Sequence, residues 1–124
     1  IYLNTYWSDG LIISTATGST AYNLSAGGPI LTPDDESIII SPIAPHNMTI
    51  RPIIVPGNSK LRMVVEGRSR EFLVTVDYRS RKIPFSESIL VEKAGEKIRT
   101  IMMNNRNFYS TLRNKLMWGV DSRN

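Results

Sequence analysis

Short apolar runs bounded by glycine, proline, aspartate and serine recur along the chain. GLIIST (10–15), ESIIIS (36–41) and IRPIIVP (50–56) have the length and β-branched content of buried strands. KLRMVVE (60–66) and EFLVTVD (71–77) instead alternate apolar and polar positions on either side of GRSR. This pattern predicts a hairpin whose Leu61, Met63, Val65, Phe72, Val74 and Val76 share core positions. SILVEK (88–93) and EKIRTIMM (96–103) flank Ala94-Gly95 and suggest a second hairpin. Prolines fall in loops and at edges, not at strand centres.

Two segments carry helical signals. Ser19-Thr20 offer an N-cap, residues 21–26 supply about two turns, and Gly27-Gly28-Pro29 stop the helix. Near the end, Asn105 or Asn107 caps FYSTLRNKLMWG, where Phe108, Leu112 and Leu116 form one apolar stripe and Gly119 closes the helix. The expected fold is therefore mainly β with two short helices.

Composition changes this picture little. The 124 residues are 41% hydrophobic and 21% charged, the balance of an ordinary globular domain, and form one domain or part of one. No apolar run approaches the ~20 residues of a membrane helix. The absence of cysteine excludes a disulfide framework and thiolate metal sites and fits a reducing cytoplasm. No export leader is visible, and the opening IYLNTYWSDG reads as a cut inside a larger protein.

Charge is unevenly placed. Residues 1–50 contain four acids and no lysine or arginine, whereas residues 51–124 hold all 15 basic residues beside 7 acids. The bases alternate with acids and apolar residues, as on solvated strand faces, and no nucleic-acid module pattern accompanies them.

The densest chemistry lies in DGLIISTATGSTAYNLSAGGP (9–29). A strand, a glycine turn and a helix start leave N–H groups free for a polar ligand, with Thr17, Ser19 and Thr20 adding hydroxyls. A phosphate-binding P-loop needs a lysine before the Ser-Thr pair, and the run has no basic residue. Such a surface suits a neutral polar body such as a base edge or ribose, with Tyr22 as an aromatic face. Spacing alone is equally compatible with a capped helix after a strand.

The same string resembles the signature block of the NAD kinase family. SPIAPHNMTIRPIIVP (41–56) resembles the next family block, and FYSTLRNKLMWGVDSRN (108–124) resembles the tail of bacterial members. The resemblance implies a two-sheet, β-sandwich-like C-terminal domain covering residues 1–124, truncated on its N-terminal side. It also implies an enzyme that uses ATP and a divalent metal such as Mg2+ to phosphorylate the adenosine 2′-hydroxyl of NAD, giving NADP. The family's Gly-Gly-Asp-Gly-Thr motif and its ribose-gripping Asn-Glu pair do not occur here. No residue is therefore expected to be catalytic or to bind metal, and the fragment is expected to be inactive alone.

By resemblance, the NAD-binding residues are Asp9, Thr17, Thr20, Ala21, Tyr22, Ser25, Ala44 and His46. Asp9 would contact NAD near a subunit interface, with an Asx-turn before Gly10 as the alternative. Ala44 and His46 would border the nicotinamide side. Arg51 would reach a phosphate or form an ion pair. Ala16 stands where most relatives carry proline, and Asp77-Tyr78 stands where many read Asp-Gly-Gln. The family further implies a cytoplasmic homodimer or homotetramer with neither nucleic acid nor membrane as partner. The alternatives are a non-catalytic β-sandwich assembly module and a relative of the lipid kinases, which lack this string.

Overall fold

The computed structural model describes residues 1–119 and 121. They fall into two compact units, one of Ile1–Pro56 with the described part of Glu96–Asn124, the other of Gly57–Gly95.

In the first unit, β1 (Gly10–Ser14), β2 (Ile38–Ile43) and β3 (Ile53–Val55) form an antiparallel sheet in the order β1-β2-β3. The register pairs Gly10 with Ile43, Ser14 with Ile39, and Ile38 with Val55. β2 is central, and its successive residues Ile38, Ile39 and Ile40, which point to alternate faces, are all buried, at about 1.5–3 kcal/mol for each such side chain. Pairing with β3 ends at Ile40, and Pro42, which lacks an N–H, therefore faces a partner strand on one side only. Ile39 packs with Ala16 and Leu31 as the local core.

The expected helix over 19–26 is two separate turns, α1 (Ala16–Ser19) and α2 (Tyr22–Ser25). Ser19 and Thr20 do not cap it. Thr15 precedes α1 in extended conformation, and Ala21, at φ −96° and ψ −132°, breaks the path between the turns. The stop signal does act as expected. Gly27 adopts φ 84°, its N–H donates to Leu24 O at 3.0 Å, and the Gly28 N–H donates to Asn23 O at 2.8 Å, a Schellman termination.

The final helix, α3 (Phe108–Leu116), begins at Asn107, whose Oδ1 accepts from the Ser110 N–H at 2.9 Å in a capping box. Of its apolar stripe, Leu112 is buried, Phe108 half-buried and Leu116 exposed. The helix ends not at Gly119 but at Met117, which takes the left-handed conformation at φ 55°.

The second unit departs most from expectation. β4 (Leu61–Met63) pairs with β7 (Ile89–Val91), and β5 (Glu71–Val76) pairs with β6 (Arg79–Pro84), all antiparallel. The predicted hairpin joining 60–66 to 71–77 is thus absent, as is a strand over 96–103. The cause is a tighter local closure: Asp77 adopts φ 53° in a two-residue turn that brings Val76 opposite Arg79. The alternation was nonetheless sound. Leu61, Met63, Val65, Phe72 and Val74 are half-buried between exposed neighbours, with Val76 the exception. The Phe72 and Phe85 rings lie 5.6 Å apart, and the Thr75 and Ser80 hydroxyls lie 2.9 Å apart across the hairpin.

Candidate functional site

The glycine-hydroxyl run divides its polar residues between an inward and an outward set. Ser14, Ser19 and Asn23 are buried, whereas Thr15, Thr17, Ala21, Tyr22 and Ser25 are exposed and Thr20 is half-buried.

Asn23 organises the inward set. At 1% exposure, its Nδ2 donates to Ser19 O and to Pro29 O, each at 3.0 Å, and its Oδ1 accepts from the Ser41 hydroxyl at 2.7 Å. One side chain therefore ties the end of α1, the loop after Gly28 and the middle of β2. The Ser19 hydroxyl donates to Ala16 O at 2.7 Å and accepts from the Leu31 N–H at 3.1 Å. A ligand-facing Ser19 hydroxyl is thus replaced by a structural one. Each of these buried groups costs free energy unless partnered, and among the described residues no buried side-chain nitrogen or oxygen lacks a hydrogen bond.

Two glycines serve the close packing of this hub. A Cβ on Gly28 would overlap the Asn23 carboxamide, and one on Gly18 would stand 2.7 Å from Ser14 Oγ. The glycine content that suggested a ligand cradle thus has a packing cause at these positions.

The outward set presents hydroxyls and an aromatic ring without charge. Tyr22 is 61% exposed, and Thr17, Ala21 and Ser25 are exposed with it. Five of the run's six NAD-site candidates, all but Asp9, therefore stand on or between the α1 and α2 turns, held from beneath by the Asn23 network.

The other three candidates gather at the opposite end of the β1–β2 ladder. The Asp9 N–H donates to Ile43 O at 3.0 Å, and the His46 N–H donates to Trp7 O at 2.8 Å, joining the segment before β1 to the loop after β2. Gly10 and Ser14 bound this ladder, about 13 Å apart at the strand rise. Asp9 and His46 are exposed, and Ala44 holds φ 47°, a sparsely populated conformation for a residue with a Cβ. Among the described residues the Asp9 carboxylate accepts no N–H that would make an Asx-turn, and the Ser8 hydroxyl donates to Gly10 O at 2.9 Å.

Arg51 pairs with backbone carbonyls, not with an acid. Its Nη1 donates to Ile50 O at 3.0 Å and to Met48 O, so the guanidinium closes its own loop. Asp77-Tyr78 is the β5–β6 turn, and the Arg79 guanidinium lies 5.3 Å from the Tyr78 ring centroid. Among the described residues no group of three or more His, Cys, Asp or Glu side chains could hold a metal ion. No helix of the described residues is long and apolar enough to cross a membrane.

Sequence reasoning missed Asn23 and Ser41 as structural partners. The available signal was Ser41 itself, a hydroxyl in the isoleucine run IIISPI that could be buried only with a partner. The i,i+4 spacing of Ser19 and Asn23 was the second clue.

Fold and site together define a β-rich domain that presents a neutral polar turn surface on a locked amide hub. A family model described as ATP-NAD kinase C-terminal domain matches residues 1–103, and the chain belongs to that family. It is 50% identical to an NAD kinase of Flavobacterium johnsoniae over 99% of its length, which is 42% of that relative. It is 46% identical to an NAD kinase of Cytophaga hutchinsonii, again over 99% of this chain and 42% of the relative. The chain thus spans about two fifths of the length of these relatives. The solved structure of yeast NADH kinase complexed with NADH shares the fold, with a TM-score of 0.76 at 24% identity over 96% of this chain and 38% of that one.

Proposed function

We propose that residues 1–124 are the NAD-binding C-terminal domain of an NAD kinase, which transfers a phosphoryl group from ATP to the adenosine 2′-hydroxyl of NAD. The observation that carries the reading is the sorting of the glycine-hydroxyl run. Its buried polar residues are all used in packing, while Thr17, Thr20, Ala21, Tyr22 and Ser25 remain available on one surface. Neutral donors, acceptors and an aromatic face suit an adenosine, whose selectivity depends on hydrogen bonds more than on charge. Ala44 and His46 supply a second contact region toward the nicotinamide end, with Asp9 contacting NAD near a subunit interface.

The chemistry itself is assigned outside this chain. A general base must lie within hydrogen-bond reach of the hydroxyl it activates, and Asp9, the one acid of the run, is given a binding role. The divalent metal and the ATP phosphates likewise belong to the rest of the protein. The intact enzyme is read as cytoplasmic, and as a homodimer or homotetramer built through this domain.

NAD titration of the intact protein beside Thr20→Val and Tyr22→Ala tests the site. The reading expects both variants to weaken binding by about tenfold or more, the loss of one good polar or ring contact. Unchanged affinity in both would overturn the placement of adenosine on this surface, and no NAD binding by the intact protein would favour a non-catalytic assembly module.

A further inference from the structure

We infer that Ser41 is a positioning residue for the adenosine surface, acting through Asn23 from a strand that carries none of that surface's side chains. The inference rests on the NAD-site reading above and adds a residue to it.

The reasoning begins with the size of α2. A single turn of four residues has too few internal hydrogen bonds to hold itself, because helix nucleation is unfavourable and is repaid only by longer segments. The orientation of Tyr22 and Ser25 must therefore come from tertiary contacts. The side chain of Asn23, the residue next to Tyr22, supplies them: two donated bonds reach Ser19 O and Pro29 O, on either side of α2 in the chain.

Those two bonds fix α2 relative to its own loop, but not relative to the sheet. The Ser41 hydroxyl does that, at 2.7 Å from Asn23 Oδ1 and 18 residues away in sequence. Ser41 lies in the central strand, opposite Ile12 of β1, and is fully buried. A rigid strand thus sets the carboxamide plane. The carboxamide sets the turn, and the turn carries Tyr22 on its exposed side. The bond also selects the amide orientation: with Oδ1 committed to a hydroxyl donor, Nδ2 must face the two carbonyls.

Removing the hydroxyl leaves Oδ1 buried without a donor and frees α2 to shift against β2, while every outward side chain remains in place chemically. This differs from a loss of stability, since the folded fraction itself would bind NAD less well.

The test uses the intact protein, NAD as ligand, and temperatures at which each variant is folded by its melting curve. Ser41→Ala is expected to raise the dissociation constant roughly tenfold and to shift the backbone amide resonances of Ala21 and Tyr22. Ser41→Thr, which restores a hydroxyl, is expected to recover affinity. In a double-mutant cycle, Ser41→Ala should cost clearly less in a Tyr22→Ala background, because the contact being misplaced is already gone. A lowered melting temperature with unchanged affinity in Ser41→Ala would overturn the inference, as would strict additivity with Tyr22→Ala. If Tyr22→Ala and Thr20→Val leave binding untouched, the NAD-site reading fails first. Weakened binding there, with normal binding in Ser41→Ala, removes this inference alone.

Discussion

Gly28 lies so close to Asn23 that the carboxamide occupies the space where any other residue would carry its Cβ. The two are also joined by the Gly28 N–H donating to Asn23 O at 2.8 Å, so neither backbone can withdraw without losing the Schellman turn. Gly27, immediately before, has open space but φ 84°. The neighbours therefore need glycine for different reasons, one steric and one conformational.

This difference predicts unequal costs. Gly28→Ala must displace a fully bonded buried amide and should cost about 3 kcal/mol or more, the range of overpacked or unsatisfied cores. Gly27→Ala should cost about 1–2 kcal/mol, the penalty for a Cβ in the left-handed region. Chemical denaturation of both variants decides it, and equal losses would contradict the packing account.

Asp77 offers a conformational test in the second unit. At φ 53° in the β5–β6 turn, it occupies a conformation that aspartate tolerates and β-branched residues do not. Asp77→Gly should be neutral or mildly stabilising, and Asp77→Val should destabilise by about 1–2 kcal/mol. Amide exchange across the Thr75–Ser80 pair should report the loss locally. Equal protection in the two variants would mean that the turn does not direct this pairing.

The same turn explains where the sequence was legible. Apolar runs located β1, β2 and β3, but the expected burial holds for β2 and not for β3, whose Ile53 and Ile54 are exposed. β6 reads RSRKIP, an exposed strand with a single half-buried apolar residue, Ile83, so periodicity had nothing to detect. Its partner choice then followed from one positive φ at Asp77, a property that composition does not display. Within the run, the motif did not reveal which hydroxyls face the core and which face solvent. Ser19 and Thr20 look alike in sequence; only the position of Leu31 decides that one hydroxyl faces inward.

At α3, the reciprocal capping box gives a separate handle. Asn107→Ala removes the acceptor for the Ser110 N–H, and the exposed helix has only Leu112 fully buried to hold it. A loss of about 1 kcal/mol is expected, with faster amide exchange confined to the first turn. The ion pair between Lys97 and Glu36, 2.6 Å apart but with both side chains more than half exposed, should contribute little by comparison: Lys97→Ala is expected to cost less than about 1 kcal/mol.

Tyr6 supplies the pH dependence. Its half-buried hydroxyl is pushed above the ordinary tyrosine range by desolvation, which disfavours the phenolate. The folded protein therefore holds this proton more tightly than the unfolded chain, which releases it near pH ~10. Stability from this group is complete below that value. It is lost as pH rises from there through the higher folded value, since unfolding then releases a proton. Tyr6→Phe has no proton to release, so the two proteins should show parallel stability at neutral pH and diverge only in alkali, where the variant declines less steeply. Denaturation midpoints measured across the alkaline range for both proteins decide the matter: identical slopes would mean that the Tyr6 hydroxyl is as well solvated in the folded protein as in the unfolded one.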